Sequence, residues 1–192
     1  MLKDLVKQSR SYRSFDPAVK ITQEQLLEFA DAARLTPSTT NLQAIKFKLV
    51  SDPAQVESLV ERTTLAAALR PLVLPPKGHH PAAFIVVCID TAIAKNPTPF
   101  LKDVGIAAQT IMLSAVEKGY GGCMIGSVNR SQLAQALNLD PQSYSIDLVL
   151  ALGKPKEQVA IAPLNPDGST TYYRDQNQVH HVPKRSLEDI LL

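Results

Sequence analysis

Apolar positions change their period several times along this chain, and each change marks an element. Leu2, Leu5 and Val6 recur at helical spacing, so a short amphipathic helix opens the chain and ends before Arg10-Ser11. Thr22 followed by Gln25 has the form of a capping box, and Leu26, Leu27, Phe29, Ala30 and Ala33 continue as a helix that should stop at Pro37. Between Ile45 and Ser51 the period drops to two: Ile45, Phe47 and Leu49 alternate with Lys46 and Lys48, the signature of a half-buried strand. Asp52-Pro53 then supplies an N-cap and a first-turn proline for another helix. The segment Pro71–Pro81 carries four prolines and a glycine and is expected to lack regular structure.

Further on, Ala83–Asp90 (AFIVVCID) is apolar without interruption, as a strand covered on both faces would be. The longest helix is expected from Phe100 to Lys118, closed by Gly119. A short strand should follow within Tyr120–Ser127, then a helix capped by Asn129 and running through Leu137. Tyr144–Leu152 is a second strongly apolar strand. Thr170–Arg174 is strand-like, and Ser186–Asp189 begins a terminal helical turn. No repeat or linker divides the chain, so residues 1–192 are expected to form one α+β domain.

One helix breaks the amphipathic rule. In Val104–Val116, nine of thirteen residues are apolar and they surround the axis. Such a helix needs cover on every side, from its own core or from a partner subunit. Gln109, Thr110 and Ser114, together with its short length, exclude a membrane span.

Composition narrows the classes of function. Across 192 residues the chain is 45% hydrophobic and 20% charged, with a formal charge of +2, which is too mild to suggest a nucleic-acid partner. The N-terminal residues lack the apolar stretch of a signal peptide. Cys88 and Cys123 have neither metal-ligand spacing nor the numbers for a disulfide framework. Buried free thiols in a cytoplasmic protein are the expected reading.

Three polar segments could carry chemistry. Arg10-Ser11-Tyr12-Arg13 sets two guanidinium groups and a serine close enough to close on one phosphate, although alone it has the pattern of a solvated turn. The loop Pro37-Ser38-Thr39-Thr40-Asn41-Leu42-Gln43 offers hydroxyls and amides able to meet a heterocycle edge, or simply to form a turn. Gly121-Gly122-Cys123-Met124-Ile125-Gly126 would let backbone approach a flat ligand, or serve as a tight connection. It is neither a dinucleotide fingerprint nor a Walker A motif. The pairs His79-His80 and His180-His181 read as loop histidines rather than metal ligands, because neighbours in an extended chain point apart. No side chain is assigned a catalytic acid–base role.

The order of these motifs is more specific than any one of them. Arg10-Ser11-Tyr12-Arg13-Ser14-Phe15 resembles the R-S-x-R-x-F opening of the nitroreductase family, and Thr36–Gln43 its A-P-S-x-x-N-x-Q loop. Asp103–Gln109 is similar to the family's D-x-G-x-A-x-Q helix, and Gly119–Gly126 to its G-x-G-x-C-x-x-G turn. Leu152–Pro155 and Lys184–Asp189 resemble its L-G-x-P strand end and basic C-terminal stretch. Departures are Ser9, where many members carry a basic residue, and Ala44-Ile45 in place of Pro-Trp.

The resemblance implies an α+β sandwich with a central, mostly antiparallel sheet, built as an intertwined homodimer around FMN. It also implies hydride transfer from NADH or NADPH to FMN N5, and on to an oxidised acceptor such as a nitroaromatic or quinone. Arg10, Ser11 and Arg13 would bind the FMN phosphate and ribityl chain, with Lys184 and Arg185 meeting the phosphate from the other chain end. Pro37, Ser38 and Asn41 would approach the flavin from the second subunit, while Ile125 and Gly126 lie beside the isoalloxazine. A flavin enzyme for one natural metabolite, or a non-catalytic flavin-binding module, remains open on the same scaffold.

Overall fold

A computed structural model describes residues 1–63 and 74–192 as two compact units, Met1–Pro155 and Lys156–Leu192. Of the expected Pro71–Pro81 loop, residues 71–73 lie outside the described residues, and Leu74–Pro81 holds neither helix nor strand.

The first unit runs α1 (Leu2–Gln8), α2 (Gln23–Arg34), β1 (Ile45–Val50), α3 (Pro53–Val60), β2 (Ala83–Asp90), α4 (Leu101–Glu117), β3 (Gly121–Ile125), α5 (Arg130–Ala136) and β4 (Tyr144–Gly153). Local chemistry sets most of these boundaries. At the start of α2, Thr22 and Gln25 exchange both capping-box bonds. Asp52 accepts from the Gln55 N–H ahead of α3, and Asn129 from the Gln132 N–H ahead of α5. After α4, Gly119 takes φ +80°, a conformation that ends helices and that a Cβ would strain.

The four strands form one antiparallel sheet in the order β1-β2-β4-β3. Strand β2 is buried from Ala83 to Ile89, and its alternation divides the core in two. Ala83, Ile85, Val87 and Ile89 face Leu26 and Phe29 of α2 and Ala108 and Ile111 of α4. Phe84, Val86 and Cys88 face the opposite way, onto Val56 and Leu59 of α3 and Leu133 of α5. The first unit is therefore a helix–sheet–helix sandwich, the expected α+β architecture.

Helix α4 differs in part from the sequence expectation. It buries Val104, Ala107, Ala108, Ile111, Met112, Ala115 and Val116, yet Gly105 and Gln109 are exposed and Ile106 is 41% exposed. The chain's own core thus covers one side of a helix whose composition called for cover all round. Leu27 of α2, counted among the apolar helical positions, is also exposed.

The second unit is a three-stranded sheet, β5 (Val159–Ala162), β6 (Tyr173–Arg174) and β7 (His180–Pro183), in the order β5-β7-β6. Only the end of the strand-like Thr170–Arg174 pairs, as β6. The histidines expected in a loop lie instead on β7. His180 is buried and stacks on Tyr172, while His181 stacks on Tyr173 and sits 3.0 Å from Asp175 Oδ2, a bond that lowers the Asp175 pKa. Arg174 pairs with Glu157, and Ser186 and Asp189 cap the final turn Glu188–Ile190.

Burial pushes the Cys88 thiol up to about 11 from 9.0. The folded-state value is the higher one, so this thiol's contribution to stability is complete below pH 9 and is lost as pH rises towards 11. Urea melts should show a wild-type loss of roughly 2–3 kcal/mol across that window that is missing in Cys88→Ala. Parallel pH profiles for the two proteins would show that Cys88 keeps an ordinary thiol pKa.

Candidate functional site

The segment Arg10–Arg13 is laid directly against the start of β3. Ser11 forms a parallel bridge with Gly122, and the Tyr12 N–H donates to Gly122 O at 2.8 Å. Farther along, Phe15 bridges Pro155 and the Asp16 N–H donates to Lys154 O. Two motifs more than a hundred residues apart in sequence are thereby joined.

Two glycines make this approach possible, and a third serves the pairing of β3 with β4. A Cβ on Gly121 would lie 2.6 Å from the Tyr12 ring, and one on Gly153 would lie 2.7 Å from Phe15. A Cβ on Gly122 would meet Ala151 O at 2.2 Å. Of the two readings of this turn, Gly121 and Gly122 fit the tight connection, being filled by the protein's own packing. Gly126 is different, being exposed with nothing within 4 Å of the place a methyl group would take. The Ile125 side chain is buried in the core, so that residue can offer a ligand only its backbone.

Both arginines are held by backbone carbonyls, and Arg10 keeps an unused donor. One terminal nitrogen of Arg10 donates to Val6 O at 2.9 Å, whereas its buried Nε has no partner among the described residues. Such a donor costs roughly 1–3 kcal/mol until an acceptor arrives. Arg13 donates to Ser11 O at 3.2 Å, which folds its guanidinium back over the same segment. The chemistry of this donor set, two cations and an exposed serine, fits a phosphate group.

The Pro37–Gln43 loop lies at the first turn of α4. Its backbone is unusual: Thr40, Asn41 and Gln43 adopt φ of 46°, 55° and 53°, the left-handed region that non-glycine residues seldom enter. Ser38 O and Oγ accept from the N–H groups of Asn41 and Gln43, at 3.0 and 3.3 Å. Asn41 and Gln43 are exposed and Ser38 is half-buried, so their amides and hydroxyl can reach an outside ligand. A cavity of about 620 Å³ opens beside the loop, lined by Pro37, Ser38, Gln43, Phe47 and Asp103 among others.

In the sequence Asp103 stands out only as part of a motif, and its task emerges from the fold. Only 4% exposed, its carboxylate accepts from both the N–H and the hydroxyl of Thr39, each at 2.8 Å. A charged residue opening an apolar helix was the available signal.

The two polar patches are not adjacent within the chain. The loop meets α4 at Asp103, while Arg10–Arg13 lies beside β3 just after the other end of that helix. The rise of a helix puts roughly 15–20 Å between them along its axis. Lys184 and Arg185 belong to the second unit, where both are exposed after β7 and the Lys184 N–H donates to Ala162 O. The first histidine pair supports structure: His79 exchanges contacts with the Phe15 backbone, and His80 Nδ1 lies 2.9 Å from Glu57 Oε2. Among the described residues no three His, Cys, Asp or Glu side chains cluster as a metal ion would require.

A helix–sheet–helix sandwich with an arginine segment laid on its edge strand and a strained polar loop at a helix start defines a ligand-binding α+β protein. Known proteins make the class specific, for the Nitroreductase family model matches residues 6–154. The chain belongs to that family. Bacillus subtilis YdgI, provisionally named an NAD(P)H nitroreductase, is 25% identical over 185 residues, covering 81% of this chain and 88% of YdgI. The CLA biosynthesis enone reductase of Lactiplantibacillus plantarum is 25% identical over 188 residues, covering 82% and 87%. A Desulfovibrio desulfuricans protein solved in complex with FMN shares the fold, with a TM-score of 0.72 at 22% identity over 100% of this chain and 95% of that one.

The glycine assignments separate by substitution. Gly122→Ala should destabilise the protein by about 3 kcal/mol or more, whereas Gly126→Ala should stay within about 0.5 kcal/mol. Denaturant midpoints compared with wild type provide the check, and equal effects at both positions would contradict the packing argument.

Proposed function

We propose that this protein is an FMN-dependent oxidoreductase, taking electrons from NADH or NADPH and delivering them to an oxidised small molecule such as a nitroaromatic or quinone. The observation that carries the reading is the Arg10–Arg13 segment stitched to β3, with an orphaned buried Arg10 donor and an open Gly126 on the same strand's end. Family membership supports the same conclusion.

FMN held there would supply two-electron redox chemistry between a nicotinamide donor and the acceptor, in a ping-pong order of binding. The chain's own residues bind and orient. Arg10, Ser11 and Arg13 hold the phosphate and ribityl chain, and Lys184 and Arg185 add positive charge to the same phosphate. Backbone at Ile125 and Gly126 lies along the isoalloxazine, where the missing side chain of Gly126 leaves room. No side chain is required as a general acid if solvent delivers protons to the reduced acceptor.

Pro37, Ser38 and Asn41 reach the ring from a second copy of the chain. The roughly 15–20 Å between the loop and Arg10–Arg13 along α4 supports this composite site. So do Leu101 and Ile106, which α4 leaves about half exposed, and Leu35 and Leu42 around the loop. A homodimer would cover these apolar residues, and the all-round apolar composition of α4 supports it. Two buried thiols, and the absence among the described residues of any helix long and apolar enough to cross a membrane, fit a cytoplasmic setting.

The similarity to an enone reductase favours a second reading of the acceptor, a natural metabolite with a carbon–carbon double bond conjugated to a carbonyl. A panel of nitroaromatics, quinones and enones distinguishes the two by their steady-state rates.

FMN-loaded protein should bleach on anaerobic addition of NADH or NADPH and recover colour when acceptor is added. Protein that retains no FMN would refute the proposal, and bound FMN that neither nicotinamide reduces would indicate a non-catalytic flavin-binding module. Arg13→Ala should weaken FMN retention by about tenfold or more, with little change in thermal midpoint. Unchanged affinity in that variant would remove the phosphate assignment.

A further inference from the structure

We propose that Asp103 is a positioning residue: acting through Thr39, it fixes the Ser38–Gln43 loop in the one shape that presents Ser38 and Asn41 to the flavin. The inference rests on the FMN reading above, but its geometry is independent of it.

A loop with left-handed Thr40, Asn41 and Gln43 is energetically loaded, since each such residue costs of order 1 kcal/mol outside glycine. It persists only where surrounding contacts over-determine it. The internal bonds from Asn41, Leu42 and Gln43 back to Ser38 and Thr39 define the curl but not its direction. Among the described residues, Thr39 alone of residues 37–43 makes hydrogen bonds to another element. Its N–H and hydroxyl both go to Asp103, and Pro99 O lies at the limit of the hydroxyl's reach at 3.5 Å.

The choice of a carboxylate is informative. Two donors converge on one side chain, and an ionised carboxylate accepts both at once. Asp103 sits in the first turn of α4, where the helix end favours negative charge. Both of its hydrogen bonds leave its own helix for Thr39. Burying a charge for stability alone is a poor use of it, because apolar packing does as well. A two-point clamp on a strained loop fixes orientation, which apolar packing does not. Both carboxylate oxygens of Asp103 are engaged by Thr39, so its hold on the loop passes through that residue.

Three variants test this, each assayed for FMN affinity by flavin fluorescence quenching, for the absorption band of the bound flavin, and for thermal midpoint without FMN. Thr39→Ser keeps both bonds and should bind FMN within about twofold of wild type. Thr39→Val loses the hydroxyl bond and should bind about tenfold more weakly, and Asp103→Ala, losing both, about a hundredfold. In the last two, the residual bound flavin should shift its band towards that of free FMN. Altered thermal midpoints with unchanged affinity and band position would overturn the proposal, leaving Asp103 a purely structural residue. If Asp103→Ala does not fold, the Thr39 pair decides alone. Wild-type protein that retains no FMN would refute the functional reading and this inference together, whereas normal wild-type binding with indifferent variants refutes only the inference.

Discussion

The contact on which the rest depends is the backbone bridge between Ser11 and Gly122. It brings the N-terminal segment against β3 and puts two arginines on the edge of a sheet formed by later residues. Bulk is excluded here, for glycine stands at 121 and 153 against Tyr12 and Phe15 and at 122 against Ala151 O of β4. Each gives up conformational economy in a strand so that Tyr12, Phe15 or a neighbouring carbonyl can approach. The arginine segment then inherits the rigidity of β3 and β4, and a cation pair that would otherwise wave in solvent becomes a fixed cradle.

The sheet beneath explains why that rigidity is available. Strand β2 is apolar on both faces, and each face has its own helix pair. Helix α4 packs on one of them and links two functional patches without bringing them together, with Thr39 clamped at its start and the arginine segment near its end. Its apolar character is therefore divided between the internal core and an exposed face that carries Leu101 and Ile106.

What was legible in the sequence follows from how local each signal is. The Thr22–Gln25 box, the Asp52 and Asn129 caps and the β2 run are decided within a few residues, and all formed where expected. The site was legible as an ordered set of motifs, since each motif alone also fits a turn. Tertiary choices were not legible. Spacing does not reveal that Gly121 and Gly122 accommodate Tyr12 and Ala151 O rather than a ligand. Nor does it show that Asp103 turns outward to Thr39, across a gap of 64 residues. Strands β5 and β7 escape a reading by period because Val159–Ala162 and His180–Pro183 are too short for one to stand out. The histidines on β7 look like loop residues until Tyr172 and Tyr173 stack against them.

The Ser11–Gly122 bridge also has a temporal side. Arg10–Arg13 is synthesised well before its seat, which does not exist until β3 and its neighbour β4 have followed. At ordinary elongation rates of about 5–20 residues per second, the segment waits roughly 6–20 s for Gly122 to be made. During that interval it is an unanchored basic segment, and closing so long a loop belongs late in folding. The arginine segment thus gains its seat only near the end of folding.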